Sequence, residues 1–316
     1  MSDTDKISAK EIIVGAVLLV IVAAAMLYTV SVFNAEKGQK VIDISQAGDK
    51  EASHVETHVK LVSIDPIKGD LTARVEFEPS ENLLSDDGTL KQNLKLYLNS
   101  ANGKQEIDFT KGKLMTPVES VFNMYEGQAT EYPFDKYVAD VVIYIAKGKA
   151  DDKKPDAAAE TKSTDAGHTD KAEPKEEAAP EDMAISVDFT GSIPGYKISA
   201  TKAKYSEVDY VGVETRIERS GIVTFFSMFV AILMWALAIG VLFFVGSLVI
   251  RGRKIEINMF SFMAALLFAF YAVRNSQPNV PPIGVYSDFI SFFWAEVVIA
   301  GCLIVALTAW ILRPGK

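Results

Sequence analysis

The chain has 316 residues, 49% of them hydrophobic and 23% charged, with a formal net charge of −9, a pI near 5.0 and one cysteine. The acidic balance excludes the basic surface that general nucleic-acid binding requires, and the lone Cys302 excludes an intrachain disulfide and a thiolate zinc cage. A mean hydropathy of +0.17 is too high for a soluble chain this charged, so the average combines two different materials.

Residues 1–11 carry Lys6 and Lys10 and lead into Ile12–Phe33, 22 residues without a charge. A helix needs about 20 apolar residues to cross a ~30 Å hydrocarbon core, so 12–33 is predicted to be a first transmembrane helix. It is readable as a retained anchor or as a cleaved signal. The run exceeds the 7–15 residues of an ordinary signal core, and Thr29-Val30-Ser31 is the passable cleavage pattern. Both readings leave the next segment on the same side.

Residues 34–221 hold 24 Lys/Arg and 35 Asp/Glu, a net of −11. In His54–Ile64, Val55, Thr57, Val59 and Leu61 alternate onto one face, the period of a half-buried strand. Asp65–Asp70 has turn chemistry, and Leu71–Glu78 is a second strand with Leu71, Ala73, Val75 and Phe77 inward. Leu94–Leu98, Val118–Phe122, Val138–Ile145, Ala184–Phe189, Tyr196–Ala200 and Val208–Ile217 read likewise. Eight short strands broken by Gly, Pro and Asp turns predict an all-β, antiparallel sandwich-like domain of the immunoglobulin kind. Within it, 147–182 lacks aromatic residues and Ile, Leu and Val. That stretch is expected to be a disordered acidic insertion joining two neighbouring strands, since it cannot bury enough apolar surface to offset its ordering entropy.

Only Glu218–Gly221 separates the last strand from the next apolar run, which places the β domain close to the membrane. Three further helices are predicted over 222–250, 257–273 and 289–312, joined by a loop at 251–256 and a Pro-rich loop at 274–288, with a tail at 313–316. Seven of the eight basic residues outside 34–221 fall on the side of the termini and the 251–256 loop. That side is therefore expected to be cytoplasmic, with 34–221 outward. Trp294 and Trp310, 16 residues apart on the fourth helix, suit the two interfaces of one leaflet pair.

The polar residue that departs most from this pattern is Glu296, seven positions into the fourth span. An ionisable group at that depth is costly and calls for a reason. One reading pairs it structurally with Arg274, with Ser287 or Asp288 capping the helix. The other makes Glu296, Arg274 and Asp288 an intramembrane polar site for transport, protons or lipid headgroups. Pro281, Pro282 and Gly284 mark a stiff outward loop, readable as a cap over the helices, as a docking surface for the β domain, or as a plain connector. Ser227/Ala231 and Ala236/Gly240 have the small-xxx-small spacing that lets helices approach, and Cys302 reads as a packing residue.

No phosphate loop, dinucleotide loop, HExxH, CxxC or GxSxG pattern occurs in the chain. On a strand, His54 and His58 face the same way but stand ~13 Å apart, too far to share a metal. His168 falls in the acidic insertion. No catalytic residue, cofactor or metal set is therefore predicted.

The pieces Tyr132–Tyr137 (YPFDKY), Pro281–Gly284 (PPIG), Asp288 and Phe292–Glu296 (FFWAE), with one helix before and three after an outward domain, resemble a family of bacterial membrane proteins, domain-of-unknown-function family 4436. The resemblance implies a bacterial envelope setting and supplies no activity. The expected function is non-enzymatic: a plasma-membrane protein whose β domain binds or positions another envelope component. Its partners would be membrane lipids and another envelope protein or a second copy. The alternative is a transport or transport-accessory subunit using Glu296, Asp288 and Arg274. A lipid-modifying enzyme ranks last, because the sequence offers no nucleophile or metal set.

Overall fold

The computed structural model describes residues 9–37, 43–44, 53–102, 105–148, 183–204 and 210–312. The acidic stretch from 149 to 182, His168 with it, and residues 1–8 and 313–316 lie outside the described residues. Ten strands are described: β1 (Asp43–Ile44), β2 (His54–Asp65), β3 (Asp70–Pro79), β4 (Leu94–Leu98), β5 (Glu106–Phe109), β6 (Val118–Glu126), β7 (Lys136–Lys147), β8 (Ala184–Thr190), β9 (Tyr196–Lys202) and β10 (Tyr210–Arg219). Strands occur at all eight predicted places; the additions are the short β1 and β5. The helices are α1 (Ala9–Lys37), α2 (Gly221–Ile250), α3 (Ile257–Asn275) and α4 (Phe293–Leu312), the last entered through a π-helical turn at Asp288–Phe292. All four are long and apolar enough to cross a membrane.

The strands form one connected mixed sheet in the order β1-β8-β2-β3-β6-β7-β10-β9, with β4 on β7 and β5 on β4. One edge of β7 is shared: Val138 and Ala139 meet the end of β6, and Ile143–Lys147 take β4. The expectation of an antiparallel domain is corrected at β2 and β8, which run parallel from His54↔Ala184 to Lys60↔Thr190. Parallel pairing needs a long crossover. Here β2 ends at Asp65 and β8 begins at Ala184, so most of the domain intervenes. A second correction concerns the strands flanking the acidic stretch. β7 and β8 are not paired neighbours; β8 joins β1 and β2, while β7 joins β4, β6 and β10. Just before β8, Met183 N–H donates to Ile145 C=O of β7 at 3.2 Å.

The period-2 pattern explains the core. Val55, Thr57, Val59 and Leu61 on β2 are buried, as are Leu71, Ala73, Val75 and Phe77 on β3. All of these but Thr57 pack with Leu94, Leu96 and Leu98 of β4, Val141, Ile143 and Ile145 of β7, and Val211, Val213 and Ile217 of β10 in one cluster. Each such aliphatic side chain contributes about 1.5–3 kcal/mol on full burial. Gly127 makes the turn after β6 possible: its φ is +102°, and a Cβ there would overlap the Lys136 carbonyl oxygen.

The helices pack through small residues. Ala238 of α2 and Ala295, Cys302 and Ala306 of α4 are buried in a second cluster with Met234, Met263 and Phe270. Ser227 and Ala231 face into the packing, whereas Ala236 and Gly240 are exposed. α1 stands against α2 through Tyr28 and Phe225, whose ring centroids are 5.1 Å apart, and through Glu36, whose Oε1 accepts from Gly221 N–H at 2.6 Å.

Candidate functional site: the junction between the β domain and the helices

β10 runs into α2 with one residue between them. Ser220 has extended φ and ψ, and its Oγ accepts from Val223 N–H at 3.3 Å, the N-cap arrangement that halts a strand and opens a helix. Its own N–H donates to Gly195 C=O at 3.0 Å, fixing the splice to the turn before β9.

Arg219, the last residue of β10, is the centre of this region. Its side chain is 1% exposed and that of Asp135, just before β7, is 0% exposed. Arg219 Nε donates to both Asp135 oxygens, at 3.0 and 2.9 Å, and Nη1 donates to the Asn279 carbonyl at 3.1 Å. The guanidinium lies over the Tyr196 ring at 4.6 Å and the Tyr132 ring at 5.0 Å. Both ring faces attract it electrostatically. Asp135 also accepts from Tyr137 Oη at 2.6 Å. Arg219 Nη2 is buried without a hydrogen-bond partner. One guanidinium thus joins β10, the entry to β7 and the loop between α3 and α4.

The same loop makes further bonds to the β domain. Tyr132 Oη donates to Pro278 C=O at 3.3 Å, Ser287 N–H donates to Tyr132 C=O at 3.2 Å, and Asn279 Nδ2 donates to Pro194 C=O at 3.0 Å. Tyr132, Val223 and Val285 form a small buried apolar cluster with Val280 against it. Burial pushes the Tyr132 and Tyr196 hydroxyls up to about 12. Burial, reinforced by the hydrogen bond to the Asp135 carboxylate, raises Tyr137 as well. All three are therefore neutral donors at physiological pH.

Of the expected polar trio, two members meet and the third does not. Arg274, at the end of α3, is 2% exposed and Asp288 is 1% exposed. Nε reaches Oδ1 at 2.7 Å and Nη2 reaches Oδ2 at 2.8 Å, a bidentate fork. Oδ2 also accepts from Gly284 N–H at 2.8 Å and Val285 N–H at 3.2 Å. Two forked bonds and two amide bonds give this buried carboxylate four donors, three of them on Oδ2. The remaining Arg274 nitrogen, Nη1, donates to Asn275 Oδ1 at 3.2 Å. The pairing of Arg274 with Glu296 is thus corrected to Asp288, because Glu296 lies eight residues, ~12 Å, further along the helix. Glu296 is half-buried on α4.

The expected cap is corrected too. Neither Ser287 nor Asp288 caps the helix with its side chain; Ser287 is already helical, at φ −59° and ψ −31°, and its Oγ is buried without a partner. Asp288 turns back to close the loop. In that loop Pro281 is buried, while Pro282 and Gly284 are exposed, Gly284 at φ +119°. The residues that bond to the β domain are Pro278, Asn279 and Ser287, on either side of the prolines. Beside Gly284 a shallow groove of about 500 Å³ runs along the seam, lined by Thr130, Glu131, Phe134, Tyr286 and Phe289.

Sequence reasoning alone does not mark Asp135, Tyr137, Tyr196 or Arg219 as site residues. The signals the sequence offers are a carboxylate between two tyrosines in YPFDKY and an arginine at a strand-to-helix boundary.

Comparison with protein families divides the chain at this junction. Residues 45–217 match the family model Domain of unknown function (DUF4436). The chain belongs to the DUF4436 family. A second family model, Domain of unknown function (DUF8686), matches residues 219–313. No curated protein matches the chain. The DUF4436 match therefore holds Asp135 and the YPFDKY piece, whereas the Pro281–Gly284, Asp288 and Phe292–Glu296 pieces lie in the DUF8686 match. The Asp135–Arg219 ion pair bridges the two.

Proposed function

We propose that this is a multi-pass protein of a bacterial plasma membrane, with both termini in the cytoplasm and residues 34–221 outside. Its β domain binds or positions another envelope component without catalysing a reaction. The observation that carries the reading is the junction, where β10 becomes α2 across one residue and Arg219, Tyr132 and Asn279 rivet the domain to the α3–α4 loop. A domain held this way presents its surface at a fixed height and angle to the bilayer. Four apolar helices support the membrane setting, with Leu27, Phe243 and Phe268 at 72%, 73% and 79% exposure where a soluble protein would bury them. Lys and Arg on the side of the termini support the orientation. We read the β domain as a two-layer sandwich folded at the short β6–β7 link; a core drawn from β2, β3 and β8 together with β4, β7 and β10 supports it.

The polar groups of the junction serve this role. Asp288 accepts from Arg274 and two amides, and Asp135, fully buried, accepts from Arg219 and Tyr137, which supports a structural role for both carboxylates. Cross-linking in native membranes, followed by identification of co-purified proteins, tests the proposal. A reproducible envelope partner cross-linked to the β domain supports it; tight binding of a small molecule with no partner recovered overturns it. A transport-accessory role is the second reading, and half-buried Glu296 on α4 is the observation in its favour. Loss of solute flux in Glu296→Gln with an intact fold would select it.

A further inference from the structure

On the outer face of the β domain, away from the junction, the sheet gathers metal-ligating side chains around His58. β8, β2 and β3 are adjacent, and their register sets Asp188 directly beside His58 on one flank and Glu78 beside Glu56 on the other. Strand alternation sends Glu56 and His58 outward together, while Val55, Thr57 and Val59 point to the core. His58 Nε2 lies 3.7 Å from Glu78 Oε1, and one ligand atom each of Glu56, His58 and Glu78 lies within 4.8 Å of the others. On the opposite side of the ring, Nδ1 lies 3.4 Å from Asp188 Oδ2.

We propose that His58, Glu56 and Glu78 bind a divalent transition-metal ion such as Zn2+, with Asp188 as the positioning residue. The arrangement of the imidazole is the argument. A metal-bound histidine typically offers one ring nitrogen to the ion and gives the other N–H to a carboxylate, which fixes the tautomer. His58 has that layout, with Nε2 toward Glu78 and Nδ1 toward Asp188, and Glu56 completes the group. On this face Glu56, Glu76, Glu78 and Asp188 outnumber Lys60 and Arg74, and Arg74 is held by Glu76 at 2.9 Å. The local excess of negative charge therefore favours a cation. Metal–ligand distances of about 2.0–2.2 Å place tetrahedral ligands about 3.5 Å apart. The glutamates must close by about 1.3 Å from their widest separation, which is small for side chains 52% and 72% exposed. The remaining coordination position faces solvent. One imidazole with carboxylates suits Zn2+ and its neighbours better than Ca2+ or Mg2+, whose sites are built from oxygens. His54 is not required: it stands two residues beyond Glu56, against Glu56 Oε1 at 3.8 Å.

The test is calorimetric titration of the full chain in nanodiscs with Zn2+ at pH 7.5, repeated on His58→Ala, Glu78→Gln and, as a control on β5, Asp108→Asn. The site variants lie on an outer face and are checked for unchanged melting before titration. One saturable site per chain is expected, weakened at least tenfold in both site variants and less than twofold in Asp108→Asn. Asp188→Asn should weaken it by a smaller factor. Absence of saturable binding, or weakening below tenfold in either His58→Ala or Glu78→Gln, overturns the proposal. Binding that persists in both site variants would place the ion elsewhere and overturns it equally.

Discussion

Replacing Asp135 by alanine is the sharpest perturbation of the junction. The substitution removes both acceptors of Arg219 Nε and the acceptor of Tyr137 Oη. Of the hydrogen bonds described for Arg219, only that to the Asn279 carbonyl survives, and Nη2 already lacks a partner. A guanidinium 1% exposed is then left without a counterion, and the Tyr137 hydroxyl is orphaned beside it. Breaking a buried pair from one side costs about 3–5 kcal/mol. For a domain of this size each kcal/mol moves the melting point by about 2–4 °C, so a drop of about 6–20 °C is expected. Thermal unfolding of the full chain in nanodiscs, followed by the β-sheet circular dichroism signal, reads it. The double variant Asp135→Ala/Arg219→Met should recover part of the loss, because no buried charge remains. A shift under about 2 °C, or a double variant no more stable than Asp135→Ala, would contradict this role for the buried pair.

The buried tyrosines set an alkaline limit. Tyr132 and Tyr196 are pushed up to about 12 in the folded state against about 10 unfolded, so the folded form holds protons the unfolded form has lost. Stability should be flat below about pH 9 and fall from about 10 to 12. Absorbance at 295 nm should show these tyrosines ionising only as the domain unfolds; early ionisation of the full set would contradict their burial. Ser220→Ala removes the N-cap of α2 and should cost about 1 kcal/mol. Hydrogen exchange at the Val223 and Thr224 amides would rise about fivefold, and unchanged exchange would reject the cap. Gly127→Ala should destabilise the β6–β7 turn, since its Cβ meets the Lys136 carbonyl at a φ of +102°; an unaltered melting point would show the turn relaxes. Glu296→Gln should leave melting unchanged within about 0.5 kcal/mol, because Arg274 is partnered by Asp288. A large loss would make Glu296 structural.

The parts of the fold that depend on periodicity could be read directly. Alternation of Val55, Thr57, Val59 and Leu61 identifies the buried face of β2, and long apolar runs, the fourth interrupted only by Glu296, identify four apolar helices. β5 escaped because Glu106–Phe109 is short and buries Phe109 alone. The parallel β2–β8 pair escaped because pairing partners are chosen by the packing of the whole domain, which local pattern does not encode. Sequence position pairs Glu296 with Arg274 and leaves Asp288 as a helix cap. The choice of Asp288 rests on a loop folding back so that Gly284 and Val285 amides converge on the same oxygen. Arg219 and Asp135 are 84 residues apart in the chain, so their pairing emerges only when β10 is laid beside β7.

The proposed role requires the β domain to be fixed to the helices rather than to swing from them. Spin labels at Asp108→Cys on β5 and Ile283→Cys in the α3–α4 loop, in a Cys302→Ala background, measure that most directly by pulsed dipolar spectroscopy in lipid nanodiscs. A single narrow distance distribution is predicted, broadening when Asp135→Ala is added. A broad or multi-peaked distribution in the otherwise unaltered chain would contradict a rigid junction, and with it the proposal that the domain presents one face at a set height above the membrane.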